Sequence, residues 1–263
     1  MKNLLVIGIG AGDPDYLTLQ AVKAIGRTDA FLVIGKGEEK QDLVRLRQEM
    51  LAEHGRPGHR VVEVSDPERD RTSPAYTESV EDWRSRRADL FEDFLRDDLG
   101  PDETGALLVW GDPSLYDSTI ASVEDVLARG RVPFEYAVIP GISSVSALAA
   151  RHRIGLNRVG RPVTVTTGRR LAEGLPELPE DVAVMLDART AFAGVAEADQ
   201  AEVDIYWGAY VGTEDELLLS GRLAEVGPKI LELRAEARER KGWIMDTYLL
   251  RPGRRVLSRT PDA

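Results

Sequence analysis

Two short apolar runs each hand over to a loop of glycine, aspartate and proline, and this pairing limits the fold more than any other feature. The first run, Asn3 to Ile9, leads into Gly8-Ile-Gly10-Ala-Gly12-Asp13-Pro14; the second, Gly105 to Trp110, leads into Gly111-Asp112-Pro113. Continuous apolar runs of this length suit parallel strands covered on both faces. Ligands of open α/β sheets sit just beyond the carboxyl ends of such strands, where these loops fall. Gly111 permits a sharp turn or a close approach to a ligand, Pro113 removes a donor, and Asp112 offers oxygens to nearby backbone N–H groups.

The rest of the chain keeps the same rhythm. Helical spacing from Thr18 puts Leu19, Val22 and Ile25 on one face, and Ala30 to Gly35 reads as a second strand. A helix over 42–54 carries Leu43, Leu46, Met50 and Leu51 inward, and Arg60 to Val64 is a third strand. Residues 65–75 are charged and proline-bearing, hence a surface loop. A helix over 78–99 buries Trp83, Leu90, Phe91, Phe94 and Leu95, with Arg84, Arg86 and Arg87 on its wet face. Helix 119–129 turns Val123, Val126 and Leu127 inward. Phe134 to Ile139 is a strand ended by Pro140-Gly141-Ile-Ser143-Ser144, where either serine can cap the helix running to Arg151. Alternating strands and helices predict a parallel α/β sheet for residues 1–138. Residues 139–263 form a second α/β domain with a mixed sheet, in which 162–166, 182–186, 204–207, 216–220 and 243–250 are strand-like. Helical segments at 189–198 and 223–240 intervene, and a short basic tail follows, loosely ordered.

Composition narrows the chemistry. Among 263 residues, 34 Lys and Arg face 45 Asp and Glu, giving a net charge of −11. That balance disfavours a nucleic-acid backbone as partner. With no cysteine there is no thiol nucleophile and no disulfide, and the three histidines, His54, His59 and His152, lack metal-ligand spacing, so no metal is expected. The amino-terminal run is too short for a signal peptide and no run reaches membrane-spanning length, so a cytoplasmic protein without a membrane partner is expected.

The glycine loop is not a dinucleotide fingerprint. That pattern needs a glycine where this chain has Asp13, and Pro14 and Asp15 remove a donor and add charge where a pyrophosphate would sit. The second strand ends in Gly35-Lys36 instead of an acid. The loop suits a ligand that is neutral or cationic there, or one touched by backbone alone.

Taken together, Gly8-Ile-Gly10-Ala-Gly12-Asp13-Pro14 with Leu17-Thr18, the Gly111-Asp112-Pro113 loop, Pro140-Gly141-Ile142-Ser143-Ser144 and Met185 resemble the tetrapyrrole (uroporphyrin/corrin) methyltransferase family. The resemblance implies two α/β domains with the active-site cleft between them, a homodimer, and transfer of a methyl group from S-adenosyl-L-methionine to a ring carbon of a tetrapyrrole. It further implies cofactor contacts at Pro14, Trp110, Gly111, Asp112, Leu115, Ser143, Ser144 and Met185, and at Tyr210, Gly212 and Trp243. Gly35-Lys36-Gly37, Trp110 to Ser118, Tyr206 to Thr213 and Gly242 to Tyr248 are similar to the branch that couples C-methylation of a corrin precursor to release of acetate.

Methyl transfer from a sulfonium requires alignment rather than a metal or a covalent nucleophile. Acetate release can use a general base, for which Asp117, Tyr116 and Asp13 are the candidates. Asp117 can instead cap a helix, Tyr116 can be a packing aromatic, and Met185 can be core. A polycarboxylate macrocycle asks for cations, and Lys36, Arg169 and Arg170 stand nearest the strand ends. The competing readings are another methyltransferase of this fold and a non-catalytic carrier of a tetrapyrrole or adenosyl ligand.

Overall fold

Lys2–Gly8 forms β1, in the interior of a five-stranded parallel sheet. A computed structural model describes residues 1–35, 41–67, 76–174, 180–195 and 202–253, and the chain divides into two units, Met1–Ser143 and Ser144–Ala263.

In the first unit, α1 (Leu19–Ile25), β2 (Ala30–Gly35), α2 (Gln41–His54), β3 (Arg60–Ser65), α3 (Tyr76–Asp93), β4 (Thr104–Val109), α4 (Thr119–Arg129) and β5 (Phe134–Ile139) follow in turn. The strand order is β3-β2-β4-β1-β5, every pairing parallel. Alternation along the strands divides the core into two layers. Leu5, Ile7, Phe31 and Leu108 meet Ala21, Ala24 and Ile25 of α1 and Met50 and Leu51 of α2. Leu4, Val6, Leu32, Leu107 and Val109 meet Phe91 of α3 and Val123 and Val126 of α4. Thus α1 and α2 cover one face, α3 and α4 the other. β4 lies between β1 and β2, whose following helices leave to the opposite face from its own. Such neighbours part at their carboxyl ends and open a crevice for ligands. By this rule the sheet parts at β1/β4, at β2/β4 and at β2/β3, where α2 and α3 also lie on opposite faces.

Three side chains depart from the sequence expectation. Thr18 accepts the Ala21 N–H (3.0 Å) and fixes the start of α1, which leaves first-turn Leu19 79% exposed and turns Ala21, Ala24 and Ile25 inward. On α4 the buried set is Thr119, Ser122, Val123 and Val126, with Leu127 exposed. Arg87 is not on a wet face: its guanidinium lies over the Trp83 ring, 4.8 Å from the centroid. The regular part of α3 ends at Asp93, and Phe94–Asp98 continues as a π turn that buries Phe94 and Leu95.

The second unit holds α5 (Ser144–His152), β6 (Val163–Thr167), α6 (Gly168–Ala172), β7 (Asp181–Met185), β8 (Val203–Ala209), β9 (Leu217–Arg222), α7 (Leu223–Lys241) and β10 (Asp246–Pro252). Its sheet is mixed, in the order β6-β7-β10-β8-β9: β6 and β7 run parallel, the other pairs antiparallel. Of the expected 189–198 helix, Ala191–Gly194 is a 3₁₀ turn, and 196–198 lie outside the described residues, as does the tail beyond 253. Trp243 precedes β10, and α7 ends on Gly242 in the left-handed conformation (φ 74°), which gives the chain its turn into that strand.

Candidate functional site

At the carboxyl ends of β1, β4 and β5 the glycine loops are joined to one another. Gly10 (φ 80°) and Gly111 (φ 67°) exchange two backbone hydrogen bonds: Gly111 N–H donates to the Gly10 carbonyl at 2.7 Å, and Gly10 N–H donates back at 3.3 Å. A Cβ on Gly141 would stand 2.1 Å from the Gly111 carbonyl oxygen, and one on Gly8 would stand 2.6 Å from the Gly141 nitrogen. Glycine is needed at 8 and 141 for close backbone approach, not for unusual dihedrals. Asp112 completes the junction. Its Oδ1 accepts from the Ser114 N–H at 2.8 Å and from the Ser114 hydroxyl, and its Oδ2 accepts from the Gly141 N–H at 2.9 Å. Burial favours the neutral acid, but these donors outweigh it and hold the Asp112 carboxyl below its ordinary range.

Asp13 caps the short 3₁₀ turn Pro14–Tyr16, its Oδ1 accepting from Asp15 N–H at 2.9 Å. Pro14 is exposed, and the Tyr16 Cβ sits against Gly10. After β4, Trp110 and Leu115 are half-buried, while Tyr116 is exposed and held at φ 53°. Asp117 accepts the Thr119 N–H at 2.7 Å, doing the capping that Ser118 leaves undone. Ser143 ends the first unit; Ser144 opens α5 in the second.

Within the second unit, Met185 ends β7 half-buried, opposite Thr167 at the end of β6. Leu186 follows at φ 53°, exposed, and Asp187 turns back inside. Arg169 and Arg170 lie on α6 beside this loop, since a Cβ on Gly168 would strike the Asp187 carboxyl. Both arginines are exposed and pair with Glu173. Tyr210 and Trp243 come together with ring centroids 5.0 Å apart, and the Tyr210 hydroxyl donates to the Trp243 carbonyl at 2.5 Å. Both are buried. Gly212 donates to Glu216 Oε2 at 2.9 Å, and Glu216 in turn takes Arg151. Tyr116, Leu186 and Tyr210 are three of the five non-glycine residues at positive φ among those described. Such strain, when kept, collects at ligand sites. Lys36 lies outside the described residues.

Two groups escaped the sequence reading. On α2, Arg47 lies over the Trp110 ring, 4.9 Å from its centroid. In the second unit a buried network supports Leu186. The Tyr248 hydroxyl donates to Asp187 Oδ2 at 2.7 Å, and Arg189 and Ala191 N–H add bonds of 3.0 and 2.7 Å. Arg234 donates to the Asp187 carbonyl and, at 2.8 Å, to Asp246 Oδ2, which also receives the Trp207 indole N–H at 2.9 Å. An arginine in the middle of a helix is a weak sequence signal; only the fold pairs it.

Strand-end glycine loops of this form, on a parallel sheet followed by a mixed one, place the chain in a known class. It belongs to the Tetrapyrrole (Corrin/Porphyrin) Methylases, whose pattern matches residues 3–227. Among relatives it is 50% identical over 254 residues to Precorrin-6A synthase [deacetylating] of Sinorhizobium sp, covering 96% of each chain. A cobalamin synthesis related protein (CobF) from Corynebacterium diphtheriae has the same structure at a TM-score of 0.82 and 38% identity, over 96% of this chain and 99% of that one. The fold also matches uroporphyrin-III C-methyltransferase of Thermus thermophilus complexed with S-adenyl homocysteine, at TM-score 0.54 and 20% identity over 94% and 91% of the two chains.

Proposed function

We propose that the chain is an S-adenosyl-L-methionine-dependent C-methyltransferase of corrin synthesis that methylates C1 of precorrin-5 and releases acetate, giving precorrin-6A. One observation carries the reading: 50% identity, maintained across 96% of both chains, to the deacetylating Sinorhizobium enzyme. The glycine junction suits this donor. Asp13, Asp15, Asp112 and Asp117 stand on its loops and favour a cation such as a sulfonium over a phosphate.

S-adenosyl-L-methionine supplies a methyl group that the ring carbon takes with its own electron pair, while the C–S pair stays on sulfur as S-adenosyl-L-homocysteine. The extruded acetyl carbon accepts a water oxygen. Its bond to the ring breaks, the bonding pair stays on the ring, and acetate and two protons leave. In this reading Pro14, Trp110, Gly111, Asp112, Leu115, Ser143 and Ser144, with Met185, Tyr210, Gly212 and Trp243, hold the cofactor, largely through backbone. Asp117, Tyr116 or Asp13 takes the proton from water, and Lys36, Arg169 and Arg170 meet the macrocycle's carboxylates. The family resemblance supports a homodimer.

The test is a mass spectrum after incubation with precorrin-5 and S-adenosyl-L-methionine. A gain of one methyl, loss of one acetyl and free acetate are expected. Methyl gain without acetate would move the chain to a sibling reaction. Tight homocysteine-product binding with no turnover would favour the carrier reading.

A further inference from the structure

Among the described residues, Arg47 and Arg87 stand near the carboxyl ends of β2 and β4 in partly buried surroundings. Arg47 reaches from α2, on one face of the sheet, over Trp110, and Arg87 reaches from α3, on the other face, to Ser118 of the same loop after β4. Burial first, and Arg87 second, push the Arg47 pKa down to about 10. Arg87 has weak partners: its Nε is 3.5 Å from Asp66 Oδ1, in ion-pair range but without a hydrogen bond, and its Nη1 is 3.5 Å from the Ser118 hydroxyl. Arg84 pairs with Asp125 at 3.1 Å, and its Nε is a buried donor without a partner. Arg47 has no carboxylate partner among the described residues; only the Trp110 ring lies beneath it. Buried guanidinium groups are normally paired, because leaving them unmatched costs free energy. Two guanidinium groups on one loop, one without a carboxylate and one with only a distant one among the described residues, make a receptor for a planar anion, which the guanidinium fork grips in bidentate fashion.

We propose that Arg47 and Arg87 form a carboxylate-binding site over the β2/β4 crevice, and that its occupant is a carboxylate side chain of the tetrapyrrole substrate. The occupant's identity rests on the function proposed above; the site itself does not. The position distinguishes it from the glycine loops proposed for the methyl donor. The glycine loops occupy the β1/β4/β5 part of the sheet edge, whereas Arg47, Arg87 and Asp66 lie on its β2/β3/β4 part, with Trp110 between. Trp110 thereby gains a second task, as the floor on which Arg47 is held at the border of the two ligands.

The experiment titrates the wild type, Arg47→Gln and Arg47→Lys with uroporphyrin III by fluorescence quenching and with S-adenosyl-L-homocysteine by calorimetry, at fixed ionic strength. Arg47→Gln is expected to weaken uroporphyrin about tenfold or more, the usual loss for a charge-assisted hydrogen bond. Arg47→Lys should recover part of that loss, and homocysteine-product affinity should stay within about twofold. The ligand-free Tm should hold or rise in Arg47→Gln, since the unmatched charge is a strain on the empty protein. Unchanged uroporphyrin affinity overturns the site. A parallel fall in homocysteine-product affinity overturns the assigned occupant, because the carboxylate would then be the cofactor's. A large drop in Tm in both variants makes Arg47 structural and also overturns the proposal. The mass spectrum with precorrin-5 is read separately. Absent turnover with Arg47-dependent porphyrin binding removes the reaction and leaves the site, whereas turnover with Arg47-independent binding removes the site alone.

Discussion

Asp112 and Gly141, 29 residues apart, are joined by a 2.9 Å hydrogen bond from the Gly141 N–H to Asp112 Oδ2. The bond fastens the loop after β4 to the loop after β5, with the Gly8 backbone packed between them. Asp112 Oδ1 is taken by Ser114, so both oxygens serve the loop. Asp112 therefore acts on a ligand by shaping backbone, not by reaching it with a free oxygen.

Replacing Asp112 by Leu should release that loop. It removes the acceptors of the part-buried Gly141 N–H and the exposed Ser114 N–H and should cost about 1 kcal/mol of stability. S-adenosyl-L-homocysteine binding, measured by calorimetry, should fall below detection. Asp112→Asn keeps one good acceptor and should fall between. Full affinity in the leucine variant would show that the methyl donor binds elsewhere.

The base assignment is tested at Asp117, where Asn can still accept the Thr119 N–H now bound at 2.7 Å. The fold should survive, with an unchanged Tm. If Asp117 activates water, acetate release should drop about 100-fold, the ordinary scale of general-base catalysis. Undiminished acetate release removes Asp117 from the chemistry and leaves it a helix cap.

How much of this was legible beforehand follows from how local each signal is. β1 and β4 are continuous apolar runs ended by glycine, and the loops Gly8–Pro14 and Gly111–Pro113 carry their meaning within a few residues. Sequence periodicity misjudged Leu19 and Leu127, because a cap or a neighbouring surface sets helix rotation and apolar type does not. The Arg47–Trp110 contact spans 63 residues, and Arg234 meets Asp187 across 47. Both depend on which strands become neighbours, which no local pattern records. The glycine loops invited a ligand-contact reading; much of their glycine serves contact between the loops themselves.

Acid stability has a local source at the opposite edge of the first sheet. Arg60 donates to Glu103 Oε2 at 2.5 Å and to Oε1 at 3.1 Å, and Gly100 N–H donates to Oε2 at 2.8 Å. Chiefly through Arg60, then Gly100, the Glu103 carboxyl is held down to about 2 from 4.5. A depressed acid contributes stability that is complete above its unfolded value and lost as pH falls through the folded one. The urea midpoint of the wild type should therefore fall between pH 4.5 and 2 more steeply than that of Glu103→Gln. The variant should be the weaker protein at pH 7, with the gap closing toward pH 2; parallel curves would mean that the pair is screened by solvent.

The Tyr248 hydroxyl donates to Asp187 beneath the exposed, left-handed Leu186. Burial first, then the charge of Asp187, raises the phenol far above its ordinary range, so it remains a donor throughout the accessible pH scale. Tyr248→Phe keeps the ring against Phe192 and removes only the oxygen. Asp187 retains the Arg189 and Ala191 N–H groups, so the unit should fold with a loss of about 1–2 kcal/mol. The consequence for function lies one residue upstream of Leu186. With Asp187 less firmly held, the strained Leu186 backbone can relax and carry Met185 with it. S-adenosyl-L-homocysteine affinity should then fall several-fold although Tyr248 touches no ligand. An unaltered affinity, with the expected loss of stability, would detach the Met185 loop from the cofactor site and reduce the network to a structural core.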